Sequence, residues 1–574
     1  WLVIQRGLQI GRSIILIYLC DVSLVVDGQE FPAHKSLLAC SSDYFRAMFK
    51  EYTKESKAAV IHLKVISATG LENILDFIYT SWLSLSMYSL EDTLEAACYL
   101  QVMDAIPLCS QFVVNNCALE NCCFAANIAS KFYLLDAMVA SEKYIINNLW
   151  RLLQEDVDEV ELLELNTKSM LTLLTSDDIP KVDEKKLLNL TLKWLQYDKI
   201  RLLNAKALFE NIRYGLLPLD TLRELYTQSK VPLTASIKNL IIKAINYHSC
   251  PTKQPILQDK FSTLRSQKAW IMLIGGDANG ELVENVLGFD VYSHKWRMVT
   301  NLQKKVRLHC TCVIGNFLYV LGGESPERLN DDTTEISLGI TKVVYRYDPR
   351  FDQWIQVASM LEKRAQFSCC VVNNFIFAMG GRKEDQAIIS SVEMYDVNRN
   401  CWTKSKELPC KMHGHASTLH KNIIYISGGK SAVQVNSSKD VYSFNRMEGQ
   451  WKKQALMTIA RFGHQMATVN DAIFTFLGIY EPFSDIERYD PVHNQWTRLR
   501  PMTFDRFCYG LVVVEQTVLL LGGKKWQDAQ EVHTQNIVGY DTENDCWEEI
   551  CSLAFPFSGL HCAILQLSDK SASM

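Results

Sequence analysis

The 574-residue sequence has no apolar run near the roughly 20 residues that a membrane-crossing helix needs. It also has no C-x-x-C pair and no large excess of either charge. Lysine and arginine number 59 against 64 aspartates and glutamates, a formal charge of −5. That balance gives no electrostatic argument for nucleic acid or an anionic membrane as the main partner, which leaves proteins. G-x-S-x-G, P-loop and H-E-x-x-H motifs are missing too, so the common hydrolase, nucleotidase and zinc-protease readings lack their residues. The 18 cysteines are scattered, some as adjacent pairs (Cys122-Cys123, Cys369-Cys370), and no disulfide framework emerges. Unpatterned cysteine in a large, core-rich chain predicts a reduced, intracellular protein. His309-Cys310-Thr311-Cys312 comes nearest to a metal motif, but strand alternation sends neighbours to opposite faces, so core packing is its expected role. Neither metal nor cofactor is expected.

What the chain does contain is a repeat. Across the second half an apolar strand ends in Gly-Gly, a Tyr-bearing strand follows, and then a Trp. The pairs are Gly275-Gly276, Gly322-Gly323, Gly380-Gly381, Gly428-Gly429 and Gly522-Gly523, with a degraded copy at Leu477-Gly478. The tryptophans are Trp296, Trp354, Trp402, Trp451, Trp496 and Trp547. One Gly-Gly and one Trp per unit of about 50 residues is the period of a four-stranded propeller blade of the kelch type. Six copies predict six blades over 269–567. The first repeat lacks an innermost strand and the last has a surplus one, Gly559 to Leu567, which is expected to pair into the first blade and remove the open edges.

The first half is different. From Cys20 two short β-rich runs flank Asp27-Gly28, a two-residue hairpin signal, and after Pro32 the apolar spacing becomes helical. From about 120 to 248 apolar residues recur at three and four spacing, as in Leu187, Leu190, Trp194 and Leu195, with Asp183 and Glu184 at a helix start. The segment 249–268, with two prolines and mixed polar residues, reads as a linker. Residues 1–19 are apolar but interrupted by Arg6 and Arg12, and are expected to form an atypical segment lying against a partner surface, a signal peptide being the alternative. Residues 568–574 read as a tail.

The pattern D-V-x-L, hairpin, F-x-A-H-K, then L-x-x-x-S-x-Y-F-x-x-M-F over 20–119 resembles the BTB/POZ domain. SKFYLLDAMVASEKYIINNL and LLNLTLKWLQYD, standing between it and the kelch repeats, make 120–248 resemble a BACK domain. The whole chain therefore resembles the kelch-like BTB-BACK-kelch proteins: an α/β domain, an all-α domain and an all-β six-bladed propeller. The resemblance implies a non-catalytic adaptor that joins a substrate on the propeller to cullin-3 on the BTB-BACK half, dimerises through BTB, and works in the cytoplasm with the nucleus as a second compartment. An actin-associated scaffold without cullin is the rival; a propeller oxidase of the galactose-oxidase kind is more remote, since neither a copper constellation nor a secretory signal is visible.

The resemblance also nominates residues. Asp21 and Lys35 match a charged pair near the BTB dimer interface, and His34 is read as a core histidine. The cullin-contacting φ-x-E motif falls on Thr53-Lys54-Glu55, with Glu55 kept and Thr in place of the apolar residue. On the propeller Arg307, Arg364, Arg461 and Arg506 stand 15 or 16 residues before a Gly-Gly or its equivalent, where the family's substrate-facing rim lies. Convergent arginines suit an acidic or phosphorylated substrate; bracing of blades by salt bridges is an equal alternative. His309, Phe367, His415, His464 and Tyr509, thirteen residues before the glycines, with His561, are expected to line the channel or pack between blades. The long second-blade insertion 324–346 is either a binding loop or a solvated excursion.

Overall fold

The computed structural model describes residues 20–154, 160–278, 280–328, 336–431, 436–478, 485–502, 506–527 and 530–568. The expectations for 1–19 and for the tail after 568 fall outside these residues. Among the described residues the chain divides into two compact units, 20–212 with 223–240, and 213–222 with 241–568.

In the first unit, strands Val22–Val26 and Gln29–Ala33 form an antiparallel hairpin, and Val60–His62 pairs parallel to the first of them. The turn needs two left-handed residues, and Asp27 and Gly28 supply φ of 50° and 82°. The sheet buries Leu24, Val26 and Ala33 against Leu38, Phe45, Leu71, Ile74 and Leu75 of the helices Lys35–Ser41, Asp43–Met48 and Ala68–Thr80. Ser42 starts the second of these helices by accepting the Phe45 N–H at 3.0 Å. The helices that follow include Cys122–Lys131, Leu135–Leu152, Thr167–Thr175 and Glu184–Tyr197. Asp183 caps the last by accepting the Lys186 N–H at 2.7 Å, and Trp194, fully buried, donates its indole N–H to the Leu165 carbonyl at 2.9 Å.

Among the described residues the second unit contains six antiparallel four-stranded sheets, the blades of a kelch propeller. Blade 2 runs outward from Cys310–Ile314 through Phe317–Leu321 and Val344–Asp348 to Gln353–Val357, and blades 3 to 6 repeat that order. Blade 1 takes its innermost strand from the far end of the chain: His561–Ser568 pairs with Gln267–Ile274 over eight residues, from His561 opposite Ile274 to Ser568 opposite Gln267. Leu565 and Leu567 of that strand are buried in one cluster with Trp270, Met272 and Leu318.

A bracket of hydrogen bonds repeats between blades. The Trp402 indole N–H donates to the Ala358 carbonyl of the preceding blade at 2.7 Å, and the Ala358 N–H donates to Asn400 at 3.0 Å. Trp496 and Asn494 hold Ala455 in the same way, and Trp547 and Asp545 hold Arg500. The Asx residue is itself fixed by a tyrosine hydroxyl: Tyr395 on Asn400, Tyr489 on Asn494, Tyr540 on Asp545. Each bracket thus satisfies both backbone groups of a residue that has left its sheet and its ladder partners.

The Gly-Gly pair has a separate role. Both glycines have positive φ, and the N–H of the second donates to a carbonyl of the next blade, as in Gly323 to Arg364 at 2.9 Å and Gly429 to Arg461 at 2.8 Å. A Cβ on Gly428 would stand 2.5 Å from the Arg461 carbonyl oxygen. Leu477 in the degraded copy also takes a left-handed φ, 47°, a strained setting for a branched side chain.

The segment ahead of blade 1 is ordered: Pro251–Ile256 is a 3-10 helix, and Arg346 and Arg350 of blade 2, stacked 4.5 and 4.6 Å from the Phe317 ring, hydrogen-bond to the Pro251 carbonyl and the Tyr247 hydroxyl. Asp348 neutralises Arg350 at 2.6 Å.

Because ring closure rests on Leu565, fully buried, Leu565→Ala is expected to lower propeller stability by about 2–5 kcal/mol. Urea unfolding followed by tryptophan fluorescence measures it. Removal of 556–574 is expected to abolish cooperative melting of the propeller.

Candidate functional site

The four nominated propeller arginines do not share one environment. Arg364, Arg461 and Arg506 stand 16 residues before Gly380, Leu477 and Gly522, and are 0%, 2% and 0% exposed. Arg364 pairs with Glu393 at 2.5 Å and donates to the Gly380 and Ser391 carbonyls. Arg461 pairs with Glu487 at 3.0 Å and donates to the Leu477 and Asp485 carbonyls. Each guanidinium therefore ties the strand-end carbonyl of its own blade to the next strand. Arg506 makes two backbone contacts of the same kind, to Leu520 and Asn536, but Val538 occupies the place of Glu393 and Glu487. Burial lowers the Arg506 pKa to about 10. Full burial takes these three out of reach of a docked protein.

Arg307 is 15 residues before Gly322, one position later than the others. In extended chain a one-residue offset reverses the side. Its side chain is 37% exposed and binds Glu324 at 2.8 Å. Residues at this offset, Arg307, Ala365, His413 and Phe507, bridge to the residue following each Gly-Gly: Glu324, Arg382, Lys430 and Lys524. Arg307, Ala365, His413 and Phe507 each directly precede a residue that lines the central cavity, Leu308, Gln366, Gly414 and Cys508, so we take this ring of pairs as the mouth of the channel. Glu324 lies between Arg307 and Arg382; Arg382 also donates to Gln366 at 3.0 Å, and Gln366 meets His413 Nδ1 at 3.0 Å. Lys430 sits 5.0 Å over the Phe462 ring. Burial, with Arg382 and Lys430 alongside, lowers the His413 pKa to about 4, so it is neutral at pH 7. On blade 6 Lys524 pairs with Glu531 at 3.2 Å, and half-exposed Trp526 meets the Phe507 ring at 5.8 Å in a tilted contact. Sequence reasoning missed Arg382, His413 and Lys430, although the position after Gly-Gly is as countable as the one before it.

Behind the mouth lies a channel cavity of about 240 Å³, lined by His309, Phe367, His415, His464, Tyr509 and His561 among others. Four of these rings are wedged under the preceding blade: a Cβ on the first glycine would strike His309 on Gly275, Phe367 on Gly322, His415 on Gly380 and His464 on Gly428. Tyr509 donates to the Phe476 carbonyl at 2.7 Å, and His464 Nε2 meets Ser427 at 2.7 Å. No His, Cys, Asp and Glu among the described residues are grouped to hold a metal. The insertion of blade 2 begins and ends as a two-stranded sheet, Glu324–Arg328 with Ile336–Ile340; its acidic middle, 329–335, lies outside the described residues.

In the first unit, Asp21 meets Lys35 through the backbone N–H at 2.8 Å, while the Lys35 ammonium donates to the Ser56 and Ala58 carbonyls at 2.9 and 2.8 Å. Lys35 thereby anchors the turn that carries Thr53 and Glu55. Thr53 donates its hydroxyl to the Lys50 carbonyl at 2.7 Å, and Glu55 is exposed. Beside them Tyr52 presents an aromatic surface, 82% exposed. His34 Nδ1 meets the Tyr79 hydroxyl at 2.9 Å in a half-buried site.

Comparison with known proteins agrees with this layout. The BTB/POZ domain profile matches residues 17–117, the BTB And C-terminal Kelch profile 122–227, and the KLHDC2/KLHL20/DRC7 Kelch-repeats domain profile 308–523 and 366–566. Kelch-like protein 34 of Homo sapiens is 47% identical over 96% of this chain and 93% of that protein. Kelch-like protein 36 of Mus musculus is 30% identical over 96% and 90%, and Kelch-like protein 15 of Homo sapiens 28% over 94% and 93%.

The buried histidines have a pH consequence. Burial lowers the His415 pKa to about 3 and those of His309, His464 and His561 below the ordinary 6.5. Below 6.5 the unfolded chain takes up protons that the folded one refuses, so stability falls as pH drops from 6.5 toward 3, by at most about 1.4 kcal/mol per pH unit per histidine. Urea midpoints at pH 7 and pH 5 are expected to differ, and His415→Gln to shrink the difference.

Proposed function

The chain belongs to the kelch-like BTB-BACK-kelch family, and from that premise we propose that it is the substrate-recognition adaptor of a cullin-3 RING ubiquitin ligase. BTB and BACK hold the cullin and a second copy of the chain; the propeller holds the substrate. The observation that carries the reading is the presence of all three modules in one chain, with Glu55 exposed beside the aromatic surface at Tyr52. The Thr53 hydroxyl is engaged within its own turn, leaving the methyl group for apolar contact with the cullin. Asp21 and Lys35 serve the interface indirectly, by fixing the turns behind it.

As an adaptor the protein makes and breaks no bonds. It raises the local concentration of substrate lysines near a charged conjugating enzyme, and a dimer would add avidity. The cytoplasm, with the nucleus, is the compartment this role implies. The substrate surface is the channel mouth. The described residues following Gly-Gly are Asp277, Glu324, Arg382, Lys430 and Lys524, and with Arg307 the cations there outnumber the carboxylates even when Glu531, the partner of Lys524, is counted, which favours an acidic or phosphorylated segment. Arg364, Arg461 and Arg506 serve that surface as internal braces.

Affinity capture from cells treated with a neddylation inhibitor tests both halves. Wild type is expected to retain cullin-3, and Glu55→Arg to retain about ten-fold less. Arg307→Ala with Arg382→Ala is expected to keep cullin-3 while losing the substrate. Absence of cullin-3 from the wild-type capture, with co-sedimentation on F-actin, would establish the scaffold role instead.

A further inference from the structure

The innermost strands are joined across blades by small polar side chains, and the chemistry of the joint changes around the channel. Between blades 4 and 5 it is hydroxyl to hydroxyl, Thr418 to Thr468 at 2.9 Å. Between blades 3 and 4 it is thiol to hydroxyl, Cys370 to Ser417 at 3.3 Å. Between blades 2 and 3 thiols stand on both sides. The Cys369 thiol donates to the Thr311 carbonyl at 3.4 Å, which sets its sulfur alongside the stretch Cys310-Thr311-Cys312. From the other side, Cys310 donates to the Phe367 carbonyl at 3.0 Å, two residues before Cys369.

Simple packing accounts for one thiol at such a joint, but three thiols at one joint, two of them on a cavity, are a reactive arrangement. Cys310 and Cys369 both line the channel cavity, and Cys369 and Cys312 are half-buried. We propose that Cys369 is a peroxide-oxidisable thiol that closes a disulfide to Cys310 or Cys312, stapling the inner strands of blades 2 and 3. In the first step the Cys369 thiolate attacks one oxygen of hydrogen peroxide. The S–O bond forms, the O–O bond breaks, and hydroxide leaves and is protonated to water. In the second, a thiolate of the facing strand attacks the sulfenyl sulfur, forming the S–S bond and releasing a second water. Two thiols lose two electrons and one peroxide gains them. The adjoining Cys310 and Cys312 thiols hold the Cys369 thiol well below its ordinary pKa, which favours the nucleophilic form. Cys508 lines the same cavity, yet burial pushes its thiol up to about 11, and it serves as an internal control.

The test is timed exposure of the reduced full-length chain to hydrogen peroxide, with differential alkylation and peptide mass spectrometry. Cys369 is expected to oxidise about ten-fold or more faster than Cys508 and to appear in a disulfide with Cys310 or Cys312 that dithiothreitol reverses. Cys369→Ser is expected to abolish that disulfide, and the Cys310→Ser, Cys312→Ser double variant to leave a sulfenic acid that dimedone traps. Oxidation of Cys369 no faster than Cys508, or its pairing with any other cysteine, overturns the proposal; both are read on the wild-type chain and so do not depend on any variant folding.

Discussion

The propeller depends on one constraint: every blade must satisfy backbone groups of its neighbour. A residue in the connection between blades has left its strand ladder, so its N–H and carbonyl need partners from elsewhere. The Trp, Tyr and Asx of one blade meet that need for the blade before it, as Trp402, Tyr395 and Asn400 do for Ala358. At the inner end the second glycine of each pair does the same in the opposite direction, by donating to the following blade. Cooperation of this kind has no natural stopping point, so the ring must close, and the strand His561–Ser568 closes it on blade 1.

This division of labour leaves the channel mouth free to vary. The bracket lies on the outer strands and the ring wedge on the inner ones, so neither uses Arg307, Glu324, Arg382 or Lys430. Arg307, Glu324 and Arg382 join Gln366 and His413 in a chain of ion pairs and hydrogen bonds over blades 2 to 4. Arginines one position earlier are inside the frame. A fully buried pair such as Arg461 with Glu487 is expensive to break, because an unpaired charge would remain. Its value lies in tethering the strand-end carbonyl at Leu477, where Leu replaces glycine and strains the turn.

Much of this was legible in the sequence because it repeats. The Gly-Gly and Trp spacing announced six blades, and Asp27-Gly28 with the helical stripe after Pro32 announced the α/β domain. The arginines were harder to place. Offsets of 15 and 16 residues look alike along a sequence, yet extended chain reverses side at each residue, and Arg307 faces solvent while Arg364, Arg461 and Arg506 do not. The tryptophans were legible as apolar mass between blades, but their N–H bonds were not, since the acceptors stand 41 to 54 residues earlier in the chain.

The amino-acid sequence by itself determined the module order, the blade count and the family, because these rest on local periodicity and on turn residues whose φ only glycine or an Asx accepts readily. Tertiary structure alone decided which cations face a partner and which brace the fold. It also brought Cys369 beside the Cys310 strand, joining Cys310 to Phe367 across 57 residues of chain. The physical reason is common to both: burial and contact across blades depend on how successive sheets are stacked, and stacking brings together residues that no short-range pattern links.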